Sequence, residues 1–210
     1  MKRIFDIGDF QLHYEDDVDG GGTSIGLDFK NILNTHYAHR EFKCCLEWCS
    51  GPGFIGFDLL LNNYCKELTL VDQHQSALNF ATHSLSCYNT NLNVTTYCTD
   101  KISSLPITKK FDLVVANPPH FSKPVNYQEI VLRNDPRIYL DLDWVIHKEF
   151  FNNISKHLTP DGVILLQESS WGCNRDTFDK FLVNLQRTNC YQTNSPVNDY
   201  PIFYIEYKLQ

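Results

Sequence analysis

Asn117, Pro118, Pro119 and His120 stand in a row directly after the apolar run Phe111 to Ala116, and their types suit the capture of a flat amino group. A side-chain amide oxygen and a proline carbonyl can accept both hydrogens of an NH2, while a ring beside them stacks on its plane. The two prolines restrict the backbone, so the acceptors are held in place before anything binds. Such a cradle needs no dedicated general base. The lone pair of an amide or aromatic amine is delocalised, and hydrogen bonds that favour pyramidalisation stabilise the positive charge that grows on nitrogen during attack. Asn117 and Pro118 are therefore the candidate catalytic residues, with Pro119, His120, Phe121 and Trp171 as candidate substrate contacts.

A second constellation lies upstream. Leu46 to Gly56 has the form of a strand, a glycine turn and a helix start, with Glu47, Cys49, Gly51, Gly53 and Phe54 placed to meet a ligand. Glycines in such a turn allow close approach, and the helix beginning near Phe54 would direct backbone N–H groups at an anion or dipole. Asp72 ends the next strand, where a carboxylate can take both hydroxyls of a ribose, and Gln73 follows it. Asp100 and Lys101 follow the third strand. His36, His39, Cys44, Cys45 and Cys49 match no standard zinc spacing, so no metal is expected from them. His74, His83, His147 and His157 show no organised partners and read as surface or packing residues.

These residues need a scaffold, and the chain supplies strands alternating with helical stretches. The strand candidates are Cys44 to Trp48, Glu67 to Asp72, Asn93 to Cys98, Phe111 to Ala116, Val163 to Gln167, Asn189 to Ser195 and Pro201 to Tyr207. Helical periodicity marks Ile25 to His39, Phe54 to Tyr64, Gln75 to Tyr88, Asp141 to His157 and Thr177 to Leu185. Thr159-Pro160-Asp161-Gly162 reads as a turn. This alternation predicts an α/β fold with a mostly parallel sheet whose functional loops follow the carboxyl ends of the strands. Residues 121–139 form a long irregular connection, the usual signature of a binding loop. Residues 1–24 read as a leading arm or hairpin ending in Gly20-Gly21-Gly22, and 25–210 as the main domain.

Composition narrows the function classes. With 25 acidic and 18 basic residues, and a net charge of -7, the chain carries no dense Lys/Arg block of the kind that tracks a phosphate backbone, which disfavours a duplex DNA or long RNA substrate. No apolar stretch reaches membrane-spanning length. The eight cysteines are irregularly spaced, which fits small core residues in a reducing, cytoplasmic setting.

Asn117-Pro118-Pro119-His120 resembles the NPP(Y/F/W/H) substrate motif of S-adenosylmethionine-dependent methyltransferases that act on planar nitrogens. Glu47 followed by Gly51 and Gly53 resembles the first cofactor motif of the same enzymes, with Pro52 as a departure. The resemblance covers about residues 25–208 and is strongest with the small-domain group, which includes the release-factor glutamine methyltransferases and the ribosomal RNA guanine-N2 methyltransferases. Arg133 to Asp143 is similar to the glutamine-modifying branch. The family implies a Rossmann-like, seven-stranded sheet in the order 3-2-1-4-5-7-6 with the last strand antiparallel. It also implies S-adenosylmethionine as cofactor, with S-adenosylhomocysteine as product. Glu47 would then anchor the cofactor's amino group directly or through water, Asp72 its ribose, and Asp100 its adenine amino group, with Gln73 and Lys101 beside the ring and Asn117 also in contact with the cofactor. Ile25 to Asp28 would roof the methionine end.

The implied reaction is N-methylation, with His120 stacking on the acceptor where the family often carries a larger ring. Neither a separate helical domain for gripping a protein nor a basic domain is evident, so a protein side chain or small metabolite is the expected acceptor. An RNA or DNA base N-methyltransferase, a cofactor-binding non-catalytic partner subunit, and a dinucleotide oxidoreductase remain alternative readings.

Overall fold

The computed structural model describes residues 1–25, 28–88, 91–124, 135–192 and 201–210. The chain opens with an antiparallel hairpin of β1 (Lys2–Ile7) and β2 (Phe10–Glu15). Ile7 pairs with Phe10, so the connection has only two residues, and Gly8 at φ +59° supplies the left-handed backbone that so tight a turn requires.

The main sheet has seven strands: β3 (Cys44–Trp48), β4 (Glu67–Asp72), β5 (Asn93–Cys98), β6 (Phe111–Ala116), β7 (Leu158–Ser169), β8 (Leu185–Gln192) and β9 (Ile202–Leu209). They lie in the order β5-β4-β3-β6-β7-β9-β8. Counted from β3, this is the expected 3-2-1-4-5-7-6. β3 pairs in parallel with both β4 and β6, while β9 runs antiparallel to β7 and β8. The strand order therefore reverses at β3, and the crevice beyond the carboxyl ends of β3 and β6 is where such sheets bind ligands.

Alternate residues of the central strands feed two cores. Leu113, Val115, Val163 and Leu165 face one side with Phe57, Leu78 and Tyr204. Val114, Ala116, Ile164 and Leu166 face the other with Trp48, Phe150 and Tyr207. Burial on both faces explains why β6 and β7 read as near-continuous apolar runs. Among the described residues the α-helices are α1 (Gly22–Ile25), α2 (Asp28–His36), α3 (Phe54–Leu61), α4 (Gln75–Cys87), α5 (Pro136–Tyr139) and α6 (Val145–Asn153). Ile7, Phe10 and Leu12 of the hairpin belong to the first core, and the Phe10 and Phe57 rings lie 4.8 Å apart.

Asp141 to His157 is α-helical only over Val145–Asn153, flanked by 3-10 turns at Leu142–Trp144 and Ile154–His157, and three further segments depart from the sequence expectation. Thr177 to Leu185 forms no α-helix; its backbone bonds, such as Thr177 N to Asn174 O and Phe181 N to Phe178 O, span three residues, leaving a 3-10 turn at Asp179–Phe181. Phe178 is fully buried there, so tertiary packing overrides the local pattern. Thr159 to Gly162 lies inside β7 at a register shift, facing the single Asp112 of β6 between the pairs Phe111/Leu158 and Leu113/Val163. The connection after β6 is tied at its ends, because Phe121 N donates to Tyr139 O at 3.0 Å and Asp141 N to Phe121 O at 2.8 Å. Residues 125–134 of that loop, Gly26 and Leu27 of the expected roof, and residues 193–195 of the expected sixth strand of the sheet lie outside the described residues.

Candidate active site

The turn from β3 into α3 carries left-handed backbone at Cys49 (φ +54°), Gly51 (φ +53°) and Gly53 (φ +98°). At Cys49 that conformation costs on the order of 1–2 kcal/mol, and strain of this kind tends to survive where a site requires it. A Cβ on Gly51 would come within 3.3 Å of the Val18 carbonyl oxygen, and one on Gly53 within 2.9 Å of the Leu70 and Phe57 side chains. Glycine here lets the turn lie flat between the N-terminal segment and the sheet.

Glu47 braces the start of α3. Its Oε2 accepts from Gly56 N at 2.7 Å and its Oε1 from Ile55 N at 3.3 Å, so both oxygens serve the first turn of α3. Burial raises its pKa to about 8, against the opposing pull of those two backbone bonds, with the Asp72 charge adding to the rise. Each oxygen keeps a further lone pair, and Glu47 lines the cleft. It holds the helix that frames the turn, and it removes from the ligand side the two N–H groups that the helix start was expected to offer.

Asp72 joins the two halves of the crevice. Its Oδ2 accepts from Gly51 N at 2.7 Å and its Oδ1 from His74 N at 2.7 Å, and burial pushes its pKa up. Each oxygen keeps a lone pair for a further donor. Beside it, the His74 ring Nε2 is buried with no hydrogen-bond partner among the described residues.

Asn117 stands at the end of β6. Its Nδ2 donates to the Gly20 carbonyl at 3.1 Å, which orients the amide, and its Oδ1 is buried with no partner among the described residues. An acceptor left bare in this way costs free energy unless a donor arrives, roughly 1–3 kcal/mol. Pro118 is buried behind it. The expected stacking wall is corrected: His120 is only 7% exposed, with Nε2 3.2 Å from the Gln167 carbonyl oxygen, and Phe121 is buried at 2%. Both rings point into the protein. A Cβ on Gly172 would overlap the His120 carbonyl oxygen, so the loop after β7 clamps the backbone of the motif.

Behind that loop sits a buried ionic cluster. His147 lies between Asp141, 2.6 Å from Nδ1, and Glu168, 3.0 Å from Nε2, and all three are at most 1% exposed. Burial alone would lower the imidazole pKa, but the charges and hydrogen bonds of Glu168 and Asp141 overcome it and raise it to about 9. Asp141 also accepts from the backbone N–H groups of Ile146 and His147, fixing the start of α6. The reading of His147 as a residue without organised partners is thus overturned, since those partners come from separate elements.

Glu47, Cys49, Gly51, Phe54, Asp72, Gln73, Asp100, Asn117 and Pro119 line one cleft that encloses about 750 Å³, part of it open to solvent. Gly53, Lys101, Pro118, His120, Phe121 and Trp171 do not line it. Lys101 and Trp171 are exposed, and Gly53 packs beneath the turn. The cleft also draws on Val18, Gly20 and Gly22 from the N-terminal segment, His74 and Thr99 from the β4 and β5 ends, and Arg137 and Ile138 from α5. The run of glycines at 20–22 and the long connection 121–139 were the local signals for some of these.

Residues 27–188 match the family model described as methyltransferase small domain, and the chain belongs to that family, a group of class I S-adenosylmethionine-dependent methyltransferases. Its fold is similar to that of the 16S rRNA N2 methyltransferase RsmC of T. thermophilus, solved with AdoMet and guanosine (TM-score 0.64, 16% identity, 98% of this chain and 50% of that one). It is also similar to TrmN from Thermus thermophilus (0.59, 12%, 86% and 48%). A third similar structure is the N-methyltransferase NodS of Bradyrhizobium japonicum WM9 with S-adenosyl-L-homocysteine (0.58, 18%, 86% and 84%). The chain thus spans about half the length of the RsmC and TrmN chains. No curated protein sequence matches it significantly. Among the described residues, no helix is long and apolar enough to cross a membrane.

The cleft fits the family's cofactor, S-adenosylmethionine. It offers free carboxylate lone pairs at Asp72, an exposed carboxylate at Asp100, a glycine turn that a Cβ would obstruct, and the bare Asn117 oxygen.

Proposed function

We propose that the protein transfers a methyl group to a planar or amine nitrogen held at Asn117 and Pro118, on a protein side chain or a small metabolite. S-adenosylmethionine, when bound, supplies an electrophilic methyl carbon on a sulfonium centre. Asp72 holds its ribose and Asp100 its adenine amino group, with Gln73 beside the ring. Asn117 Oδ1 accepts one hydrogen of the acceptor NH2, and the Pro118 carbonyl, which does not line the cleft in this structure, is assigned the other; together they aim the nitrogen and stabilise its growing positive charge. The proton leaves after attack, so no base is needed beforehand.

The observation that carries this reading is the Asn117 amide: nitrogen held on Gly20, oxygen buried and without a partner. Pro119 is the one residue after Pro118 in the motif that reaches the cleft. With His120 and Phe121 turned inward, the opposite face of the acceptor falls to residues on the N-terminal segment and α5. The net charge of -7 favours a protein or metabolite over a nucleic acid. Eight free cysteines fit a reducing, cytoplasmic setting.

The test is incubation of a cell extract with protein and methyl-labelled donor, followed by separation into protein, nucleic acid and small-molecule fractions. Label that appears in the protein or small-molecule fraction with the wild type and is absent with Asn117→Ala supports the reading. Label confined to nucleic acid overturns the acceptor class, and equal labelling by the variant overturns the cradle.

A further inference from the structure

On the face of the molecule that carries the hairpin, His13 of β2 meets His83 and Cys87 of α4. One donor atom from each lies within 4.8 Å of the others, and Cys87 Sγ is 3.7 Å from His83 Nε2. His83 and Cys87 are four positions apart on a helix and so share a face. The His13 ring sits against His83 at 4.9 Å between centroids. The register is fixed by the neighbouring residue, since His13 N donates to Ser84 Oγ at 2.8 Å and that hydroxyl donates to Phe80 O at 2.8 Å.

We propose that His13, His83 and Cys87 form a binding site for a thiophilic divalent cation of the zinc class. Two imidazoles and a thiolate are the donors such ions prefer, and three protein ligands leave a fourth tetrahedral position for water. Zinc bonds of about 2.0–2.1 Å to nitrogen and about 2.3 Å to sulfur imply a tetrahedral nitrogen-to-sulfur edge of roughly 3.6 Å. The separation of 3.7 Å already present between His83 Nε2 and Cys87 Sγ is close to that edge. Binding replaces the thiol proton, which is released to solvent, and each imidazole contributes a neutral nitrogen. Spacing along the sequence could not announce the site, because one ligand belongs to the hairpin and two to a helix of the main sheet.

The placement also suggests what the cation does. β2 leads through a 3-10 turn at Asp16–Val18 to Gly20, and α4 begins just after Asp72 and His74. A cation here would tether the strand leading to the Asn117 anchor onto the helix that follows the ribose-side carboxylate.

The experiment uses the full chain, reduced, stripped with chelator and desalted. Alkylation of Cys87 is followed by peptide mass mapping with and without one equivalent of zinc, and Cys98, also an exposed free thiol, serves as the internal control. Zinc is expected to slow Cys87 by at least about tenfold, because a coordinated thiolate is a poor nucleophile, and to leave Cys98 unchanged. His83→Ala, at an exposed position, should abolish the protection while keeping the melting temperature of the metal-free protein. Cobalt substituted for zinc should show a thiolate charge-transfer band that Cys87→Ser lacks. Equal slowing of both cysteines, slowing of neither, or full protection in His83→Ala would overturn the proposal.

Discussion

The amide of Asn117 is anchored by the carbonyl of Gly20, 97 positions earlier in the chain, at 3.1 Å. The bond determines which end of the side chain is tied down. A carbonyl oxygen can receive only the NH2 end, so the amide oxygen is the end left over, buried and unpartnered among the described residues.

Asn117→Ala should therefore lower turnover by about 100-fold or more, the usual effect of deleting one preorganised partner of a developing charge. Donor affinity measured by calorimetry should change far less. Asn117→Asp offers a sharper comparison, because a carboxylate facing the Gly20 carbonyl loses the anchoring bond and should be no better than alanine. Turnover within a few-fold of wild type in either variant would remove Asn117 from the chemistry.

Asp72→Asn should weaken donor binding and destabilise the fold together. An amide can accept from only one of the Gly51 and His74 N–H donors that the carboxylate now serves, and the other would face an NH2 group. The expected stability loss is about 1–3 kcal/mol, read from urea denaturation. Calorimetry with the donor should show affinity down by at least about tenfold, the equivalent of one lost hydrogen bond to a charged group. Unchanged affinity would separate Asp72 from the cofactor.

Stability should fall as pH rises from mildly acidic to alkaline. His147 is raised to about 9, from an ordinary value of 6.5, so the folded chain holds a proton that the unfolded chain releases. Its stabilisation is complete below about pH 6.5 and is lost as pH climbs through about 9, with a slope of up to about 1.4 kcal/mol per pH unit. Glu47, raised to about 8 from 4.5, adds a slope of the same sign at lower pH, because the unfolded carboxyl ionises first. Urea midpoints across this range should flatten above pH 6.5 in His147→Gln and below pH 8 in Glu47→Gln. His147→Gln should also cost about 3 kcal/mol or more near pH 6, since it leaves two buried carboxylates without their cation. In the wild type, the His147 ring resonances should titrate near 9; titration near 6.5 would contradict the cluster.

Gly172→Ala should displace the Asn117 motif without touching the donor side of the cleft. The added methyl would overlap the His120 carbonyl oxygen, a backbone atom that can yield only if the motif moves. Turnover should drop by about 10-fold or more, as small misplacements of a reacting group do, with donor affinity retained. Equal turnover would mean that the loop after β7 gives way instead.

The strands, the glycine turn after β3 and the motif after β6 were legible in the chain because each has a local signature: apolar runs of strand length, glycines between a strand and a helix, and two prolines ending a run. Asp72 and Asp100 could be placed by the same reasoning, since a residue at the end of a parallel strand has only one crevice to face. The helix expected at Thr177 to Leu185 failed because its periodicity was weaker than the pull of Phe178 into the core.

What tertiary structure decided are pairings between distant elements, which carry no local trace. Gly20 on Asn117, Gly172 against His120, His147 against Glu168, and His13 beside His83 and Cys87 each join residues that the chain keeps apart. Residue types along the chain were enough to specify the kind of chemistry and the sheet that carries it. Which way His120 turns, and which group Glu47 holds, depended on packing in three dimensions, where a ring or a carboxyl settles on whichever buried partner satisfies it.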